Sequence, residues 1–274
     1  MKISKYNTVI NKIKLIISHL LSRRFKPYSL NSELHPGNNY SDLFIYVSRY
    51  DKISFIAENT YALFKGEPIE VKHVINLYSK DGLLIESFEK KSDLYICEIK
   101  LPRIKRIDKY ISFTHKVEIC NWKSMNKEDY KELMKLNLLH RGYVNYQRGI
   151  DSLGSIVHGN FGGVCTDSVM KLSAKQRIDK FIYTPVYSFC KEDIYNLVFN
   201  NPTKKALVIN ITKKTKFNSY KLEDSLFIDS MGTDYVEIKG FTGFITIESN
   251  LPVCRCIIFK NPDGLEDNFD VFHS

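Results

Sequence analysis

The sequence predicts a mainly β protein: two antiparallel β-sandwich-like units joined by a helix and a glycine-rich segment, with an amphipathic helix in front. Three observations predict it. Short apolar or alternating runs recur every ~10 residues from Leu43 to Lys260, with turn residues between them. The 17 Tyr and 17 Phe favour strands, where rings pack on the pleated surface. Long helical periodicity is confined to residues 2–24 and 126–140. The expected organisation is a basic amphipathic helix at 1–28, a first β unit at 40–120, a helix and glycine-rich connection at 121–178, a second β unit at 179–262 and a polar, acidic tail at 263–274. With 274 residues, 43% of them hydrophobic, the chain can bury a substantial core.

In residues 2–24, Val9, Ile10, Ile13, Ile16, Ile17, Leu20 and Leu21 recur at spacings of three and four, which makes one apolar stripe. Pro27 stops the helix. Lys12, Lys14 and His19 interrupt the apolar run, which argues against a membrane span. No unbroken apolar core or small-residue cleavage site supports a secretory signal. A basic helix lying on an anionic membrane surface fits the stripe, with Lys5, Lys12, Ile13, Ile17, Leu20, Arg23 and Arg24 as its contacts. A helix packed on the protein body needs the same stripe, so that alternative stays open. So does an organelle-targeting segment, which would also be basic and free of acids.

The charge is uneven. Residues 1–28 hold seven basic side chains and no acid, out of a net charge of +9. The rest of the chain is nearly neutral, without the basic footprint that nucleic-acid binding by a folded domain requires.

The first unit reads as strands at 43–48, 53–59, 70–79, 83–89, 93–101 and 109–119. Asp81-Gly82 between the third and fourth signals a two-residue hairpin turn with positive φ at both positions. Residues 126–140 read as a helix, with Glu128 and Asp129 favouring its N-terminal dipole. A glycine-rich stretch and a short helix near 168–178 follow. The second unit reads as strands at 181–190, 195–201, 206–214, 225–230, 235–240, 243–249 and 253–260.

Six cysteines form no C-x-x-C pair, and Cys254 and Cys256 are too close for the usual zinc spacing. They read as small buried hydrophobes in a reducing compartment, so the expected location is cytoplasmic, with membrane association through the first helix. No metal or other cofactor is expected. G-x-S-x-G is absent, and the HGNFGG run at 158–163 lacks the Lys-Ser/Thr of a phosphate loop.

Chemistry concentrates in residues 138–164, which mix His140, Arg141, Tyr143, Asn145, Tyr146, Arg148, Asp151, His158 and Asn160 with six glycines. Arg forks hydrogen bonds to carboxylates or vicinal hydroxyls, and Tyr offers an apolar face with a polar edge. The mix suits a sugar or sugar-acid ligand, with Arg141, Tyr143, Asn145, Tyr146, Arg148 and Asn160 as its contacts. The expected function is carbohydrate recognition, serving cell-envelope polysaccharide assembly at a membrane surface. One alternative is an enzyme on sugar intermediates with His158 or His140 as acid and base. Another is an interaction or oligomerisation module working through its β edges. If His115, His140 and His158 converged, they could bind a metal or supply a general base, although no local spacing supports it. Tyr183, Tyr187 and Phe189 share one strand face, as either a sugar-stacking row or core packing.

Overall fold

A computed structural model of the chain describes residues 39–49, 53–102, 108–120, 142–147, 154–161, 181–185, 187–202, 206–216, 218–221, 225–251, 255–262 and 269–273. Both expected long helices, at 1–28 and 126–140, lie outside the described residues, as does the short one near 168–178.

Strands dominate. In chain order they are β1 (Asn39–Arg49), β2 (Ile53–Glu58), β3 (Val71–Tyr78), β4 (Leu84–Ser92), β5 (Ile96–Lys100), β6 (Tyr110–Ile119), β7 (Tyr143–Tyr146), β8 (Ser155–His158), β9 (Asn160–Phe161), β10 (Phe181–Tyr183), β11 (Ile194–Asn200), β12 (Leu207–Lys214), β13 (Ser219–Lys221), β14 (Leu226–Ile228), β15 (Thr233–Lys239), β16 (Phe244–Ser249), β17 (Ile257–Asn261) and β18 (Asp270–His273). A single turn and a half of helix, α1 (Thr60–Lys65), follows β2. Asn59 caps it by accepting from the Ala62 N–H (3.1 Å), and Gly66 ends it in the left-handed region.

The strands build four antiparallel sheets. Sheet I has the order β4-β3-β6-β1-β9 and sheet II the order β5-β2-β7-β8. Sheet III runs β15-β11-β17-β18, and sheet IV runs β10-β16-β12-β13 with β14 also on β12. Sheets I and II face each other across an aromatic core. Phe55 of β2 meets Phe113 of β6 edge-on at 5.4 Å, and Tyr46 of β1 stacks on Phe113 at 5.1 Å. Sheets III and IV form the second sandwich around Leu197, Phe199, Ile209, Ile211, Ile245 and Ile247.

The two sandwiches are continuous, because sheet III is buried on both faces. Along β11, Tyr195, Leu197 and Phe199 point into the sheet III–IV core, while Val198 joins the core of sheets I and II. Along β17, Ile258 points one way and Ile257 and Phe259 the other. Phe259 reaches Tyr110 (4.9 Å) and Tyr146 (5.2 Å), at one end of the first sandwich. That end is also tied by the Thr233 N–H to the Lys80 carbonyl (2.8 Å) and by the Ser112 hydroxyl to the Met231 carbonyl (2.7 Å). A strand buried on both faces reads as an unbroken apolar run, and LVF at 197–199 and CIIF at 256–259 have that form, with Asn196 and Asn200 buried as polar residues beside the first.

Two expectations change in detail. The β3–β4 hairpin has a three-residue loop: the Ser79 N–H bonds the Leu83 carbonyl (2.8 Å) and the Gly82 N–H the Ser79 carbonyl (3.0 Å). Among its residues only Gly82 has positive φ, at 80°, so Asp81 does not, and a left-handed glycine closes the loop. The acidic stretch expected as a tail after Pro262 ends in a strand. Residues 270–273 are β18 on the edge of sheet III, with Phe269 and Val271 buried and the Arg49 guanidinium 4.1 Å above the Phe269 ring. Alternate apolar residues carry that short strand, too few to outweigh the acids around them when the sequence is read alone.

Candidate functional site

The predicted site residues divide among three places. His140, Arg141 and Arg148 lie outside the described residues, as do the membrane contacts Lys5, Lys12, Ile13, Ile17, Leu20, Arg23 and Arg24. Tyr143, Asn145 and Tyr146 lie on β7 and His158 on β8. Asn160 pairs with Ile45 of β1, so its backbone belongs to sheet I and not to the sheet that carries the others.

Alternation along β7 separates its residues by face. Val144 and Tyr146 point inward and are 1% exposed. Tyr146 is therefore a core residue, not a ligand contact. Its hydroxyl donates to the Val47 carbonyl (2.7 Å), its ring meets Phe259, and burial pushes its phenol well above the usual range. Tyr143 and Asn145 point the other way, onto the outward face of sheet II.

Register builds that face in rows. Lys100, Ser54, Asn145 and Ile156 form one row across β5, β2, β7 and β8. Glu98, Ile56, Tyr143 and His158 form the next. Lys100, Glu98 and Ile156 are exposed, and Tyr143, Asn145 and His158 are half-buried. At the centre, Ser54 is only 4% exposed; its Oγ and the facing Asn145 Oδ1 are buried with no hydrogen-bond partner. Natural folds leave few such atoms unpaired, because each costs about 1–3 kcal/mol. Gly154 makes the arrangement sterically feasible: a Cβ there would fall 1.8 Å from Asn145 Oδ1. Gly159 has a similar role one strand on. A Cβ there would lie 2.5 Å from the Ile45 carbonyl oxygen, so glycine lets the chain cross from β8 in sheet II to β9 in sheet I.

His158 is fixed by a hydrogen bond from Nδ1 to the Gly159 carbonyl (2.8 Å). His115 does not join it. His115 is on the inner face of sheet I, 3% exposed, where its Nε2 lies 3.0 Å from His73 Nδ1 and its ring meets Phe55 at 4.9 Å. Burial lowers both imidazoles from 6.5 to about 3, with His115 itself and then Lys90 adding to the effect on His73. They form a neutral core pair. Among the described residues, no three His, Cys, Asp or Glu side chains gather to hold a metal ion.

The aromatic row of the second unit is packing. Phe189 is 1% exposed, and Tyr187 meets Phe189 (5.4 Å), Tyr195 (5.8 Å) and Phe272 (4.7 Å). Pro185 follows β10, an edge strand, where a missing N–H is tolerated. Cys97 and Cys256 are buried and in no disulfide, Cys190 is exposed, and Cys165 and Cys254 lie outside the described residues.

Sequence reasoning missed Ser54, Glu98 and Lys100. They sit on strands it did find, but their convergence with β7 depends on β2 lying between β5 and β7. No local pattern encodes that neighbourhood. No protein-family model matches the chain, and no curated protein is significantly similar to it.

Proposed function

We propose that the outward face of sheet II binds a sugar or sugar acid without turning it over. The observation that carries this reading is the buried, unpartnered pair of Ser54 Oγ and Asn145 Oδ1 at the centre of a face that also presents Tyr143 and His158. A hydroxylated ligand that displaces what covers these two oxygens would supply the missing hydrogen bonds. The Tyr143 ring offers an apolar face for a pyranose, and the exposed Lys100 at the end of the Ser54 row suits a carboxylate. Binding is favoured over hydrolysis by distance. Glu98, the carboxylate in the His158 row, is three strands away, or about 14 Å, too far to work with the imidazole as a pair. The basic, acid-free residues 1–28 favour delivery of this face to an anionic membrane surface.

The test is calorimetric titration of the full chain with neutral sugars and uronic acids. The expected result is binding that Tyr143→Ala and Asn145→Ala weaken at least about tenfold, the loss of one or two good contacts. Tyr146→Phe should leave affinity unchanged. Binding that survives both outward substitutions, or no binding to either ligand class, overturns the reading.

A further inference from the structure

Strand β4 is an exposed edge whose sequence is complementary to itself. It forms one border of sheet I, hydrogen-bonded to β3 on one side only. It has nine residues, LIESFEKKS, none of them buried. Natural folds keep open edges short or cap them. On the neighbouring edge strand β5 the Glu98 carbonyl accepts from Lys90 Nζ (2.8 Å), which uses one of the ammonium's three N–H donors and leaves two for a second partner. Among the described residues Lys72 holds Glu89 (3.1 Å), whereas Glu86 makes no ion pair.

We propose that β4 pairs antiparallel with β4 of a second copy of this chain, about a twofold axis through Phe88. A twofold antiparallel pair places same-face residues opposite each other, so only registers centred on a residue are allowed. Centred on Phe88, Glu86 lies opposite Lys90 of the second copy, and Lys90 opposite its Glu86. The two Phe88 residues face each other on the axis. Moving the centre to Glu89 sets that carboxylate against itself. Moving it to Ser87 sets Glu86 against Phe88 and loses both ion pairs. Ile85 is bulged, since β3 pairs Leu77 with Glu86 and Tyr78 with Leu84, so the regular pairing spans residues 86–90. Sheet I thereby continues across the dimer. The pairing goes beyond sugar recognition and involves none of Ser54, Tyr143, Asn145 or His158.

Sedimentation velocity on the full chain over a dilution series tests it. The wild type should form a reversible dimer. Glu86→Lys and Lys90→Glu should each weaken it about tenfold or more, because each replaces two attractive cross-strand pairs with two repulsive ones. Mixing the two variants should restore a dimer. The lysine introduced at position 86 of one chain then faces the glutamate introduced at position 90 of the other, and the native Lys90 of the first faces the native Glu86 of the second. The double variant should dimerise like the wild type. Far-ultraviolet circular dichroism of each variant separates lost pairing from lost folding. A wild type that stays monomeric throughout, or a dimer indifferent to both single charge reversals, overturns the proposal. So does a monomer that captures an extended peptide of other sequence at β4.

Discussion

Strands β7 and β11 divide the work of the molecule. Strand β11 is buried on both faces: Tyr195, Leu197 and Phe199 serve one core and Val198 the other. Strand β7 is buried on one face only; Val144 and Tyr146 serve the core, while Tyr143 and Asn145 are left over. A strand with two cores has no face to spare for a ligand. A strand with one core does, and on that face Asn145 Oδ1 is buried without a hydrogen-bond partner, as Asn196 Oδ1 is on β11.

The sharpest way to break the comparison is Phe259→Ala, on the sheet that both cores share. Phe259 is fully buried against Tyr110 and Tyr146, so its loss should cost about 3–5 kcal/mol. Urea unfolding should show one transition shifted for both sandwiches; a shift confined to half of the signal change would separate them. Tyr143→Ala, on the spare face, should cost about 1 kcal/mol or less, and on the proposed reading it weakens sugar binding at least about tenfold.

Acid should come next. His73 and His115 titrate near 6.5 when unfolded and at about 3 when folded, mainly because burial penalises the cation. Between those values the unfolded chain binds more protons. Their contribution to stability is therefore complete above pH 6.5 and is lost as pH falls toward 3. The urea midpoint should decline over that window, and less steeply in His73→Leu. An unchanged slope would mean that the pair is solvated.

Tyr146→Phe should cost about 1 kcal/mol, the net value of one buried hydrogen bond to the Val47 carbonyl, with binding intact. Smallest of all is Lys72→Gln. The Glu118 and Glu89 carboxylates beside Lys72 raise its pKa, but its ammonium is open to water. A slight loss of stability should appear at low salt and vanish at high salt.

The fold class was legible because strand periodicity is a local property. LVINITKK alternates into a half-buried strand, and Leu197, Val198 and Phe199 run on without alternation because both faces of β11 are covered. The candidate site was half legible. Tyr143, Asn145 and His158 stood out because their types are rare together near glycines, and Tyr146 stood out with them although it packs in the core, because alternation separates it from Asn145 by one residue. Which face points inward depends on what sits behind the strand. Here that is Phe259, more than a hundred positions away, and no window of sequence contains both.

The shared sheet also bears on how the chain folds as it is made. The core of the first sandwich includes Val198, Ile257, Phe259, Phe269 and Val271, all contributed by residues 194–273. The half synthesised first therefore waits, one end open, until the half synthesised last arrives to close it. Loop-closure entropy must be met before those contacts form, which makes folding slow and late. During that wait Tyr110 and Tyr146 face solvent, so a chaperone that holds exposed aromatic surface should act most strongly on chains truncated before β17.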